Sequence, residues 1–191
     1  EKGEAMKDEE IVELYFSRSE DAISETALKY GNYCSYISQN ILHSKEDAEE
    51  CVNDAYFAAW KTIPPQRPQN LKTFLGKLTR NISLKKQEKY QAAKRGGGYV
   101  DTVLSELEEC IASNSSIEDS IDYSALIECI NSFLSSLPSL NRIVFVRRYW
   151  YVSPISEIAE QYNISESKVK SILFRLRKRL KEYLGKEGFF I

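Results

Sequence analysis

The chain has one histidine, His43, and four cysteines, Cys34, Cys51, Cys110 and Cys129, so far apart that no zinc-type spacing arises. The cysteines read as small apolar residues, kept reduced, and His43, beside Ser44 at a helix boundary, reads as structural. No nucleophile–base pair and no paired catalytic acid and base stand out, so neither enzymatic activity nor a metal or cofactor is expected. No apolar run approaches the roughly 20 residues needed to cross a bilayer. The opening EKGEAMKDEE is too acidic for a secretory signal, so a cytoplasmic protein without membrane insertion is expected. Proline is scarce too, with five in 191 residues, yet three of the five fall between Thr62 and Gln69, where they exclude helix and stiffen a loop.

Charge is plentiful and sorted into blocks beneath a net value of only −2. Residues 1–60 hold 14 carboxylates and 5 cations, and residues 61–96 hold 10 cations and 1 carboxylate. Residues 97–137 hold 8 carboxylates and no cation, whereas residues 138–191 hold 11 cations and 5 carboxylates. A polyanion is drawn to the second and fourth blocks and repelled by the first and third, which favours a nucleic-acid partner.

Apolar spacing predicts an all-α protein. Helices are expected over Asp8–Arg18, Asp21–Leu42, Lys45–Lys61 behind a Ser44 cap, and from near Asn70 to about Lys94. Gly96, Gly97 and Gly98 close this first domain, 8–96. The acidic stretch 97–122 reads as a partly helical, mostly mobile tether. A second domain, 123–184, opens with a helix holding Leu126, Ile127, Ile130, Phe133 and Leu134. Pro138 marks a turn, and an aromatic-rich helix runs from Arg142 to Trp150.

Ser153 to Leu184 then forms the plan of a helix-turn-helix DNA reader. Ser153 and Pro154 suit a helix start. Asn163 suits a left-handed turn, and Ser165 caps a second helix whose inward stripe is Val169, Ile172, Leu173, Leu176 and Leu180. The remaining faces of that helix are densely basic. An amphipathic surface helix with a solvated charge run is the plain alternative.

These residues carry a family resemblance. LPSLNRIVFVRRYWYVSPISEIAEQYNISESKVKSILFRLRKRL resembles region 4 of bacterial sigma-70-type initiation factors, especially the extracytoplasmic-function group. KEDAEECVNDAYFAAW resembles that group's region 2.2, and FLGKLTRNISLKKQEKYQAAKR its regions 2.3 and 2.4. Three features depart from the pattern: Lys85 replaces the usual Asp, Asn163 replaces the usual turn Gly, and the loop after Trp60 is rich in proline.

The resemblance implies a sigma factor that binds core RNA polymerase, through its beta-prime clamp helices and beta flap, and directs it to promoter DNA. It implies −35 contacts from Lys168, Lys170, Ser171, Phe174 and Arg175. It implies −10 contacts from Lys72, Lys77, Arg80, Asn81, Lys85, Lys86 and Lys89, and a polymerase-binding face of Asp47, Glu49, Glu50, Asn53 and Asp54. An anti-sigma protein is a further implied partner, to which no particular residue points.

Phe174 is open to a core reading as well as a groove contact. Arg177 and Arg179 are open to phosphate contact or plain solvation, and Arg147 and Arg148 to phosphate contact or to covering the helix-turn-helix. The tether's carboxylates, Glu106, Glu108, Glu109, Glu118 and Asp119, either fold back over the basic surfaces and suppress stray DNA binding or simply keep a linker soluble. The rivals to a sigma factor are a stand-alone helix-turn-helix regulator that binds an operator without polymerase and the DNA-binding part of a recombinase, for which no catalytic Ser, Tyr or carboxylate cluster stands at suitable spacing.

Overall fold

A computed structural model describes residues 6–95, 98–108 and 123–189. Among them the chain is all helical, with nine helices and no strand, as its apolar spacing predicts. It divides into two compact units, Glu1–Gly97 and Gly98–Ile191.

The first unit contains α1 (Asp8–Phe16), α2 (Asp21–Leu42), α3 (Lys45–Thr62) and α4 (Leu71–Arg95). Helices α2, α3 and α4 pack on one another, and α1 lies against α2. Their inward stripes meet in a core that includes Ile11, Tyr15, Tyr30, Cys34, Val52, Tyr56, Ile63, Leu71 and Leu75. Two hydroxyl pairs cross this core, Tyr15 with Thr26 at 2.9 Å and Ser38 with Ser83 at 2.8 Å, so these four buried hydroxyls are satisfied. At Gly76 of α4, Tyr33 of α2 sits against the backbone. A Cβ there would lie 2.5 Å from the tyrosine oxygen.

Helix α3 starts on Ser44, whose hydroxyl accepts from the Asp47 amide at 3.2 Å. It stops where Ile63 turns extended ahead of Pro64, the conformation that a following proline favours. The proline-rich loop is held down by Arg67, which pairs with Glu13 at 2.6 Å and lies over the Phe16 ring. Asn70 then caps α4 by accepting from the Thr73 amide at 2.8 Å.

The second unit contains α5 (Tyr99–Glu108), α6 (Tyr123–Ser135), α7 (Ser139–Tyr149), α8 (Ile155–Gln161) and α9 (Glu166–Lys186). Helix α9 is the hub, packing on α6, α7 and α8. Its stripe Val169, Ile172, Leu173, Leu176, Leu180 and Leu184 is fully buried with Phe133, Val144, Phe145 and Ile158.

Helix α5 comes from the stretch that the sequence assigns to the tether, and it packs on α7. Val100 and Val103, one turn apart, are its buried anchors. Gly96, Gly97, Cys110, Glu109, Glu118 and Asp119 lie outside the described residues, as does the side chain of Glu108.

The start of the helix-turn-helix differs from the sequence expectation. Ser153 makes no cap; Pro154 occupies the cap position of α8 without a side-chain bond. Ser153 is buried instead, with its amide donating to the Arg147 carbonyl at 2.9 Å and its own carbonyl accepting from Arg148 at 3.3 Å. Val152 just before it has φ 57, a left-handed conformation costly for a β-branched residue, which complete burial holds in place.

Candidate nucleic-acid interface

The turn between α8 and α9 forms as its chemistry dictates. Asn163 adopts φ 50, and the Ile164 amide donates back to the Ala159 carbonyl at 3.0 Å. The Ser165 hydroxyl accepts from the Lys168 amide at 3.2 Å, capping α9. Glu166 follows in the first turn, where a carboxylate suits the positive end of the helix.

Helix α9 has two clearly different faces. With its apolar stripe buried, Lys168, Lys170, Ser171, Phe174, Arg175, Lys178, Arg179 and Lys181 are left exposed. Lys170, Ser171, Phe174 and Arg175 line a single open depression on the outer surface. Phe174 is 64 % exposed, so it is not part of the core. The Arg175 Nε donates to the Ser171 carbonyl at 3.1 Å, which steadies the base of its guanidinium while the side chain stays in solvent. Two cations, a hydroxyl and an exposed aromatic ring on the early turns of a capped helix can supply hydrogen-bond donors to base edges and phosphates and an apolar contact for a thymine methyl.

Residues 127–180 match the family model of sigma-70, region 4. The matched residues lie wholly within the second unit. The match supports a DNA-binding role in transcription initiation. The match leaves α1 to α4 and α5 outside it. No curated protein matches the chain. No described helix is long and apolar enough to cross a membrane.

The other arginines around region 4 divide by environment. Arg148 is 5 % exposed and therefore out of reach of a DNA backbone. Arg147 donates to the Tyr162 hydroxyl at 3.2 Å and lies over the Tyr151 ring, covering the helix-turn-helix. Arg177 is half-buried, whereas Arg179 is exposed.

Beneath α9 lies a polar network centred on Glu106, which the sequence reading treated as one of many tether carboxylates. One Glu106 oxygen pairs with Arg148. The other accepts from the Tyr149 hydroxyl at 3.1 Å and from Arg177 Nη1 at 3.2 Å. Arg177 also donates to the Tyr149 oxygen at 2.8 Å, and Arg148 donates to the Tyr99 hydroxyl at 2.9 Å. Burial opposes the charge of Arg148, but Glu106 and Tyr99 outweigh it and hold its pKa above the ordinary arginine value.

In the first unit, Lys77, Asn81, Lys85 and Lys89 recur at intervals of four and form one exposed stripe along α4. Lys72 is exposed near the start of the helix, its ammonium 5.0 Å from the Tyr33 ring centre, and its position turns it away from that stripe. Arg80 is half-buried, and burial lowers its pKa.

Lys86 does not join them. Its side chain is 17 % exposed and clasped between Asp47 at 2.7 Å and Glu50 at 2.6 Å. These two carboxylates push the Lys86 pKa up, and Lys86, with Tyr90 donating at 3.0 Å, pulls that of Asp47 down.

On α3, Glu49, Glu50, Asn53 and Asp54 are exposed, while Asp47 is half-buried in the Lys86 clasp. Phe57 stands among them, 56 % exposed with the Lys61 ammonium 4.1 Å from its ring centre. An apolar anchor inside a carboxylate face suits a protein partner better than a solvated one. The sequence signal was present, since Phe57 follows Asn53 by four residues.

Proposed function

We propose that the chain is a sigma factor of the extracytoplasmic-function group, acting in the cytoplasm with core RNA polymerase and without a catalytic step of its own. The observation that carries this reading is a region 4 match on a helix-turn-helix whose recognition helix turns Lys170, Ser171, Phe174 and Arg175 outward. In this reading those four, with Lys168, engage the −35 duplex. Domain 8–96 holds the −10 element.

Opening a duplex without nucleotide hydrolysis requires tighter binding of the opened strand than of the duplex. The exposed stripe Lys77, Asn81, Lys85 and Lys89 on α4 offers cations to a strand backbone and an amide to an unstacked base. Glu49, Glu50, Asn53 and Asp54, with Phe57, form the face offered to the basic clamp helices of the beta-prime subunit. The beta flap is a further polymerase partner in the same reading, and an anti-sigma protein is a partner of both units.

The test is transcription from a promoter library by core polymerase with and without the purified chain. New start sites are expected only when the chain is present. Arg175→Ala is expected to lower those transcripts by about tenfold, the scale of one lost base contact. Transcripts that do not change on adding the chain would remove the proposal, and a specific footprint formed without polymerase would establish the stand-alone regulator instead.

A further inference from the structure

The Glu106 network ties α9 to α5, to the end of α7 and to the segment that leads into α8. Glu106 and Tyr99 come from α5, and Arg148 and Tyr149 from the end of α7. Ser153 lies at the entry to α8, and Arg177 sits on α9 three residues beyond Phe174. Arg177 points inward to Glu106 while Phe174 and Arg175 point outward, so the place where Arg177 is gripped sets the rotation of α9 about its own axis. A recognition site tolerates displacements of only about 0.5 Å before its contacts are lost. Apolar packing alone allows a helix to roll or slide. A carboxylate that accepts from two guanidinium groups and a phenol does not, because each donor fixes a direction.

We propose that Glu106 is a positioning residue of the DNA reader, and that the reading unit of this chain begins at α5, ahead of the residues that match region 4. The inference rests on α9 being the −35 helix. Masking, in which the acidic segment covers the DNA-binding face, is the rival role for the same carboxylate. The exposures decide between them. With α5 docked, Lys168, Lys170, Ser171, Phe174 and Arg175 all remain exposed, and Glu106 engages Arg148 and Arg177 on the inner side. The family match starts at residue 127, so Glu106 lies outside it.

The experiment uses the full chain bound to core RNA polymerase. A randomised duplex pool is selected on the wild-type complex, and the preferred duplex is then competed against a scrambled one. Thermal unfolding of each variant gives its folded fraction. Glu106→Gln keeps the shape and removes the charge. It is expected to reduce the preference ratio about tenfold, the worth of one misaligned base contact, without a matching loss on the scrambled duplex.

Tyr149→Phe removes only the hydroxyl between Glu106 and Arg177, is the milder change, and is expected to reduce the ratio a few-fold. It decides the matter if Glu106→Gln does not fold. A merely structural role would lower the folded fraction and leave the ratio untouched, and an unchanged ratio in the folded variant overturns the proposal. Higher affinity for both duplexes would establish masking and overturn it as well. Lys170→Ala and Arg175→Ala separate this from the underlying reading. If they reduce the preference and Glu106→Gln does not, the positioning role alone fails; if neither reduces it, α9 is not the reading helix and both fail together.

Discussion

Tyr149 carries a hydroxyl that both gives and receives a hydrogen bond beneath α9, and its titration reports on that place. Burial first, opposed by Arg177 and aided by Glu106, pushes its pKa up to about 12. A group whose folded pKa lies above its unfolded value of about 10 contributes stability that is complete below pH 10 and is lost as pH climbs towards 12. The second unit is therefore expected to lose stability across that window, and a Tyr149→Phe chain to lose it less steeply, as followed by chemical denaturation at stepped pH. Single residues are also where sequence reasoning met its limit. Lys86 counts as one more cation on a basic helix until Asp47 and Glu50, 39 and 36 positions away, are seen to enclose it. Arg148 and Arg177 look alike in a basic run, yet their carboxylate lies 42 and 71 positions away. Pairings at such separations leave no periodic trace in the chain.

At the scale of the element, legibility follows spacing and punctuation. Helix α9 was readable throughout because its cap, its turn and its apolar stripe are all local signals, and each is found where those signals put it. Ser165→Ala is accordingly expected to destabilise the second unit by about 1 kcal/mol, measured as a shift in denaturation midpoint, with the outward face of the helix unchanged. The exposed stripe of α4 was legible only in part, since its members were named together with Lys72, Arg80 and Lys86, which the fold sets apart from them. Helix α5 was harder to place. Its ten residues read as helical in part, but what docks them is two valines and a glutamate that resemble any others in an acidic segment. The boundary of α8 slipped by one residue because a serine before a proline looks like a cap whether or not its hydroxyl is turned towards the helix.

For the molecule as a whole, the net charge of −2 says little about its behaviour towards DNA. Exposed cations lie along α9 and along one stripe of α4 while carboxylates occupy α3, so the field that a duplex meets depends on which surface it approaches. Affinity for duplex is expected to fall with salt as it does for a basic protein. Replacing Lys178 and Arg179 together is expected to reduce the slope of log affinity against log salt by about 2 without altering base preference. Anisotropy titrations at several ionic strengths measure both quantities.

The burial of Arg148 also has a practical edge. A fragment cut where the region 4 match begins discards α5, and with it the Glu106 carboxylate and Tyr99 hydroxyl that hold Arg148, a loss of about 1.5–3 kcal/mol for each hydrogen bond to a charged group. Such a truncated piece is expected to hold α9 less firmly than the intact second unit does. Weak binding by it would then reflect how it was trimmed rather than what the intact protein does on a promoter.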